Sequence, residues 1–157
     1  MRHAKSSWDS PAESDHDRPL NDRGRRDSSR VAARLVEMGW SPQVVLSSDS
    51  CRTRETFALM QPALADLRSV EFLPSLYHAG IESLCEALLA VADDIESVLA
   101  LGHNPGWQHA VYWLCGESVE MKTATAALLE CDAADWPASV TSRGLWRLVG
   151  TIYPREL

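Results

Sequence analysis

Val98-Leu99-Ala100-Leu101-Gly102-His103-Asn104-Pro105-Gly106 sets the architecture. The four apolar residues read as a strand. Two glycines and a proline then break the chain, and Trp107 to Cys115 reads as a helix. Strand, glycine-rich turn and helix form the repeating unit of an α/β sheet. Working residues in such sheets collect just beyond the carboxyl ends of the strands, where His103 falls. The glycines permit close ligand approach. A turn histidine bonded to backbone is the alternative.

The same unit recurs upstream. Val44-Val45-Leu46 reads as a buried strand, and Ser47-Ser48-Asp49-Ser50 opens a helix from about Cys51. Arg52 then lies in a first helical turn, where free N–H groups favour anions. Taken alone, it reads as a surface arginine in an Arg-Thr-Arg run. Asn21 or Asp22 caps a helix carrying Val31, Leu35 and Met38 on one face, with Gly39 at its stop. Val70–Leu73 is a strand, Ile81, Leu84, Leu88 and Val91 mark a helical face, and Ala126–Cys131 and Leu145–Tyr153 are late strands. Residues 133–144 between them read as irregular. This alternation predicts a three-layer α/β/α sandwich with a mostly parallel sheet, with residues 1–157 as a single domain.

Composition narrows the function. A hydrophobic content of 45% in 157 residues supports a packed core. The net charge is −7, yet residues 1–30 hold seven Lys/Arg against six Asp/Glu. The acid lies in the body, which disfavours nucleic-acid binding but leaves room for a local cationic pocket. No apolar run reaches the ~18 residues of a membrane span, and no secretory signal is visible, so a cytoplasmic location without membrane contact is expected. Cys51, Cys85, Cys115 and Cys131 are scattered and read as reduced, mostly buried thiols. His3, His16, His78, His103 and His109 show no metal-binding spacing.

At the front stands Arg2-His3-Ala4-Lys5-Ser6. An imidazole can accept a phosphoryl group, and a guanidinium can hold its oxygens with paired, charge-assisted hydrogen bonds. Residues 6–20, with Pro11 and Pro19, read as a loop long enough to be functional. Within it, Asp15-His16-Asp17 reads as a solvated turn. Arg23, Arg25, Arg26 and Arg30 follow early in the first helix, mostly facing solvent, with one of them a candidate for a phosphate site.

In order, Arg2-His3-Ala4-Lys5-Ser6, Asp17-Arg18-Pro19-Leu20 with Gly24, Ser48-x-x-x-Arg52-x-x-x-Thr56, Leu76-Tyr77-His78-Ala79 and Gly102-His103-Asn104-Pro105 resemble the histidine phosphatase (phosphoglycerate mutase-like) superfamily. The resemblance is to its small SixA-type phosphohistidine phosphatases and covers nearly the whole chain. It implies a phosphatase in which His3 is the nucleophile, Arg2 and Arg52 bind the phosphoryl oxygens, and His103 donates to the same group. No metal or cofactor is implied. Larger members carry a carboxylic general acid, whereas Leu76–Ile81 offers only Tyr77 and His78. A phosphoramidate P–N bond is labile once its nitrogen is protonated, while an alkoxide leaving group usually needs a placed acid. The substrate therefore leans toward phosphohistidine in a phosphotransfer protein of signal transduction. His78 is a candidate acid or substrate contact, or equally a structural loop histidine.

Family members also place an apolar strand before Arg-His, in mid-sheet. The sequence opens at Met1, so this first central strand is expected to be missing, with unpaired neighbouring edges and a gap in the core. Met1 is then expected to be an internal methionine of a chain that starts several residues earlier. Two rival readings follow: a phosphatase of small phosphoesters, and a catalytically inactive module that binds phosphate or a partner.

Overall fold

A computed structural model describes residues 1–9, 12 and 14–157. Ser10, Pro11 and Glu13, inside the expected loop over 6–20, lie outside the described residues. The element order is α1 (Asp22–Glu37), β1 (Val44–Ser48), α2 (Cys51–Met60), β2 (Ser69–Leu73), α3 (Ile81–Leu89), β3 (Val98–Leu101), α4 (Gly106–Cys115), β4 (Ala126–Glu130), α5 (Trp136–Ser139) and β5 (Arg147–Ile152). The alternation of strand and helix is as the sequence predicts.

β1 lies between β2 and β3, parallel to both, with Val45 paired to Val70 on one side and to Leu99 on the other. All of β1 is buried, which explains its unbroken apolar run. Its side chains divide two cores. Val45 packs with Val31, Leu35 and Phe57 beneath α1 and α2. Val44 and Leu46 pack with Leu84, Leu88 and Trp107 beneath α3 and α4. Helices on both faces give the three-layer sandwich. β4 and β5 pair antiparallel beside it.

β3 and β4 are not paired with each other. Between them stand residues Met1–His3. Arg2 bridges Gly102 in parallel, His3 N–H donates to the Gly102 carbonyl (3.0 Å), and Arg2 N–H donates to the Thr125 carbonyl (3.0 Å). Ala124 N–H donates back to the His3 carbonyl (3.0 Å). These few residues hold the central position at its carboxyl end. The expected gap lies behind them, as a groove of about 840 Å³ lined by Met1, Ala100, Trp107, Ala126 and Leu128 among others. His3 is nonetheless tied on both sides.

Local chemistry agrees with most expected boundaries. Asn21 caps α1, its side chain accepting from Gly24 N–H at 2.9 Å. A Cβ at Gly24 would run into the Lys5 backbone, so this glycine lets α1 approach the segment after His3. Residues 133–144 are less irregular than expected. α5 forms there because Asp135 caps it and Pro137 suits a first turn, and four residues are too few to show helical periodicity. The cysteines are unpaired and half-buried rather than buried, because Cys51, Cys115 and Cys131 sit at element ends. No helix among the described residues is long and apolar enough to cross a membrane.

Candidate active site

Three strand ends deliver the site. His3 follows the short central segment, Arg52 enters α2 just beyond β1, and His103 follows β3. The structure brings together the dispersed residues expected from sequence. The His3 and His103 ring centroids are 5.0 Å apart, and Arg52 Nη2 lies 3.4 Å from His103 Nδ1. All three side chains are buried.

His3 has a defined tautomer. Its Nδ1 lies 2.7 Å from the Ala4 carbonyl oxygen, which can only accept. Nδ1 therefore carries the proton, and Nε2 keeps its lone pair. Burial lowers the His3 pKa to about 4; the Ala4 bond opposes this, while the charges of Arg52, Arg2 and Arg18 add to it. The ring is neutral at physiological pH, which leaves the Nε2 lone pair available for nucleophilic chemistry. Ala4 N–H donates to Thr56 Oγ1 (3.1 Å), whose hydroxyl donates to the Arg52 carbonyl (2.6 Å). Thr56 thus couples the backbone beside His3 to the helix that carries Arg52.

His103 is neutral as well: burial, then the neighbouring His3 and Arg52, lower its pKa to about 2. Its Nε2 sits 2.8 Å from Ser48 Oγ, and its Nδ1 turns toward Arg52. The loop that holds it is tightly seated. A Cβ at Gly102 would meet the Trp107 ring, and one at Gly106 would collide with the Ala79 carbonyl.

Arg2 is half-buried, donates from Nη1 to the Met121 carbonyl (3.0 Å), and has an unpartnered buried Nε. Burial and the positive charge of Arg52 both disfavour its protonated form. Clustered guanidiniums of this kind are relieved by an anion, and planar forks suit a phosphoryl group.

The expectation of a solvated turn at Asp15-His16-Asp17 does not hold for Asp15. Arg52 donates to the Asp15 carbonyl from Nη1 (2.5 Å) and to Oδ2 from Nη2 (3.0 Å). Arg18 Nη1 donates to Oδ1 (2.7 Å), and the Tyr77 hydroxyl donates to Oδ2 (2.8 Å). Burial pushes the Asp15 carboxyl up, but the bonds from Tyr77 and Arg18 and the charge of Arg52 outweigh it and hold the group well below the usual carboxylate range. Asp15 is therefore a fixed anion. His78, with a left-handed backbone (φ 52°), packs its ring against Tyr77, tilted by 51° with centroids 4.1 Å apart, and stands 5.6 Å from His103 at the pocket mouth. The arginines Arg23, Arg25, Arg26 and Arg30 are all exposed, so none lines the pocket. Arg18, close enough to bear on His3, takes that place. Sequence reading missed Asp15 because nothing local tells a carboxylate in a turn that it will meet an arginine 37 residues away.

Residues 1–80 match the family model described as the histidine phosphatase superfamily (branch 1). The chain belongs to the histidine phosphatase superfamily. This histidine phosphatase is 38% identical to an uncharacterized chloroplastic protein of Arabidopsis thaliana, over 98% of its own length and 76% of the relative's. A structure of protein histidine phosphatase SixA complexed with tungstate superposes with a TM-score of 0.83 at 27% identity, covering 99% of this chain and 96% of that one. A SixA from Agrobacterium tumefaciens superposes with a TM-score of 0.81 at 26% identity, covering 98% and 95%. The SixA-type resemblance read from the motifs, the fold it implied and the reading of the chain as a phosphatase are all borne out.

Proposed function

We propose that this histidine phosphatase removes the phosphoryl group from phosphohistidine in a phosphotransfer protein, through a transient phosphohistidine on His3 and without a metal ion. One observation carries the choice of substrate. Asp15, the carboxylate fixed against Arg52, is held as an anion and has no proton to give. A phosphomonoester leaves as an alkoxide and needs such a proton, while a protonated phosphohistidine leaves as a neutral imidazole. The similar SixA structures are those of a phosphohistidine phosphatase and a protein histidine phosphatase, which supports the same reading.

In this reading His3 Nε2 attacks phosphorus while Arg2, Arg52 and His103 hold the equatorial oxygens. Charge on those oxygens then meets fixed donors in a buried site, where such stabilisation counts most. Water attacks phospho-His3 in the second step: a P–O bond forms, the P–Nε2 bond breaks and its electron pair returns to the His3 ring, which keeps its Nδ1 proton, and one proton of the water is released. His78 contacts the substrate at the mouth.

The test is hydrolysis of a phosphohistidine-bearing phosphotransfer domain, with His3→Ala as control and a chelator present. Turnover that survives the chelator and vanishes in the variant is expected. Turnover of p-nitrophenyl phosphate with none of phosphohistidine would transfer the function to small phosphoesters. A folded protein that turns over neither, yet binds phosphate, would be a binding module.

A further inference from the structure

Asp15 sits at the wrong place for a simple anion site. A carboxylate bonded to Arg18 and Arg52 offsets two of the positive charges that Arg2, Arg18 and Arg52 gather for a phosphoryl group, so its place here calls for a further role. The Arg52 side chain is 4% exposed and that of Asp15 is 43% exposed, so the carboxylate covers the arginine from the solvent side. Around it stand Tyr77, which donates to Oδ2, and His78, whose Nε2 lies 3.6 Å from the same oxygen. The Tyr77 and His78 rings both face His103, at 5.3 and 5.6 Å. The mouth of the pocket is thus a negative charge flanked by aromatic surfaces, the surroundings that a flat cation prefers.

We propose that Asp15 determines specificity, its carboxylate receiving the protonated ring of a phosphohistidine and opposing leaving groups that depart as anions. The inference rests on the proposed function and deepens it. As His3 Nε2 forms its bond to phosphorus, the P–N bond of the substrate breaks and its electron pair returns to the leaving ring. That ring carries a proton on its other nitrogen, so its charge goes from positive to neutral, and no further proton is required. An ester leaving group goes from neutral to negative over the same step. Relative to free enzyme and substrate, the first transition state still carries positive charge on the leaving ring and the second carries negative charge, so a fixed anion beside the leaving group raises kcat/KM for phosphohistidine and lowers it for the ester.

The experiment compares wild type with Asp15→Asn, which keeps the shape and removes the charge. kcat/KM is measured for a phosphohistidine-bearing protein and for p-nitrophenyl phosphate. The ratio of the two is expected to fall roughly 30-fold or more, by a loss on phosphohistidine and a gain on the ester. An equal fall on both substrates would reduce Asp15 to a residue that positions Arg52, and no change would remove it from the account. A second readout needs no turnover. Protein loaded with inorganic phosphate is titrated with imidazole at about pH 5.5, where the ring is mostly protonated, and followed by NMR. Wild type should bind at least about tenfold more tightly than the variant, and equal binding overturns the proposal. Wild type that spares phosphohistidine but hydrolyses the ester would defeat the proposed function, while the imidazole titration still decides Asp15.

Discussion

Ser48 Oγ lies 2.8 Å from His103 Nε2, and this contact governs which nitrogen of His103 can serve a phosphoryl oxygen. With Nε2 protonated, His103 donates to Ser48 and its Nδ1 can only accept from Arg52. When a phosphoryl group arrives, Nδ1 must donate. A hydroxyl rotates and both donates and accepts, so Ser48 supports either tautomer. A carbonyl in its place would fix the wrong one. Ser48→Ala should therefore lower kcat about tenfold with little change in melting temperature. Ser48→Thr, which keeps the hydroxyl, should recover most of the loss. A variant pair with identical kcat would remove Ser48 from catalysis.

The two pocket histidines should fail in different ways. His3→Ala removes the atom proposed to carry the phosphoryl group, and turnover should drop by about 10⁴ or more, with no acid-labile ³²P retained on the protein after a quench. His103→Ala removes one donor to the transition state, and should cost about 10²–10³ in kcat while the phosphoenzyme still forms. Equal losses with no trapped intermediate in either protein would contradict this division.

Acid should weaken the fold before it protonates the nucleophile. The ordinary histidine pKa is 6.5, and in the folded chain His3 is lowered to about 4 and His103 to about 2. Below pH 6.5 the unfolded chain binds protons that the folded chain refuses, so stability rises with pH there and is lost as pH falls. At about pH 5 each histidine should cost on the order of 2 kcal/mol relative to pH 7. A melting temperature flat between pH 7 and about pH 5 would refute the burial argument. In protein that stays folded, the acid limb of kcat/KM should lie near pH 4 rather than 6.5, since that parameter reports the free enzyme.

Gly106 tests the seating of the His103 loop. Its missing Cβ is what allows the start of α4 to lie against the Ala79 carbonyl. Gly106→Ala should destabilise the protein by about 3 kcal/mol or more in chemical denaturation, since backbone cannot yield as a side-chain end can. A mild effect would show that the Tyr77–Gly80 segment can shift, and activity on phosphohistidine should then be impaired through Tyr77.

Much of this molecule was legible in its residues. Val44-Val45-Leu46 announces a buried strand and Val98–Leu101 a strand, whose Leu99 and Leu101 are buried, and Asn21 and Gly24 place the start of α1. His3, Arg52 and His103 could be named because motifs fix them to strand ends. What stayed hidden arises from tertiary pairing. Asp15 and Arg18 are ordinary loop residues until Arg52 and Tyr77 meet them, and four early arginines of α1 looked as suitable as Arg18. α5 escaped notice because a single capped turn leaves no period to read.

The backbone of Arg2 and His3 is secured by Gly102, Ala124 and Thr125, residues about a hundred positions or more away along the chain. Arg2 and His3 leave the ribosome before any of these supports has been made. At about 5–20 residues per second, the nucleophile waits several seconds to tens of seconds for a place to stand. Until then Arg2, His3 and Arg52 are separate side chains on a nascent polypeptide, and no phosphoryl site exists. The order of synthesis itself thus withholds this site until Thr125 has been made.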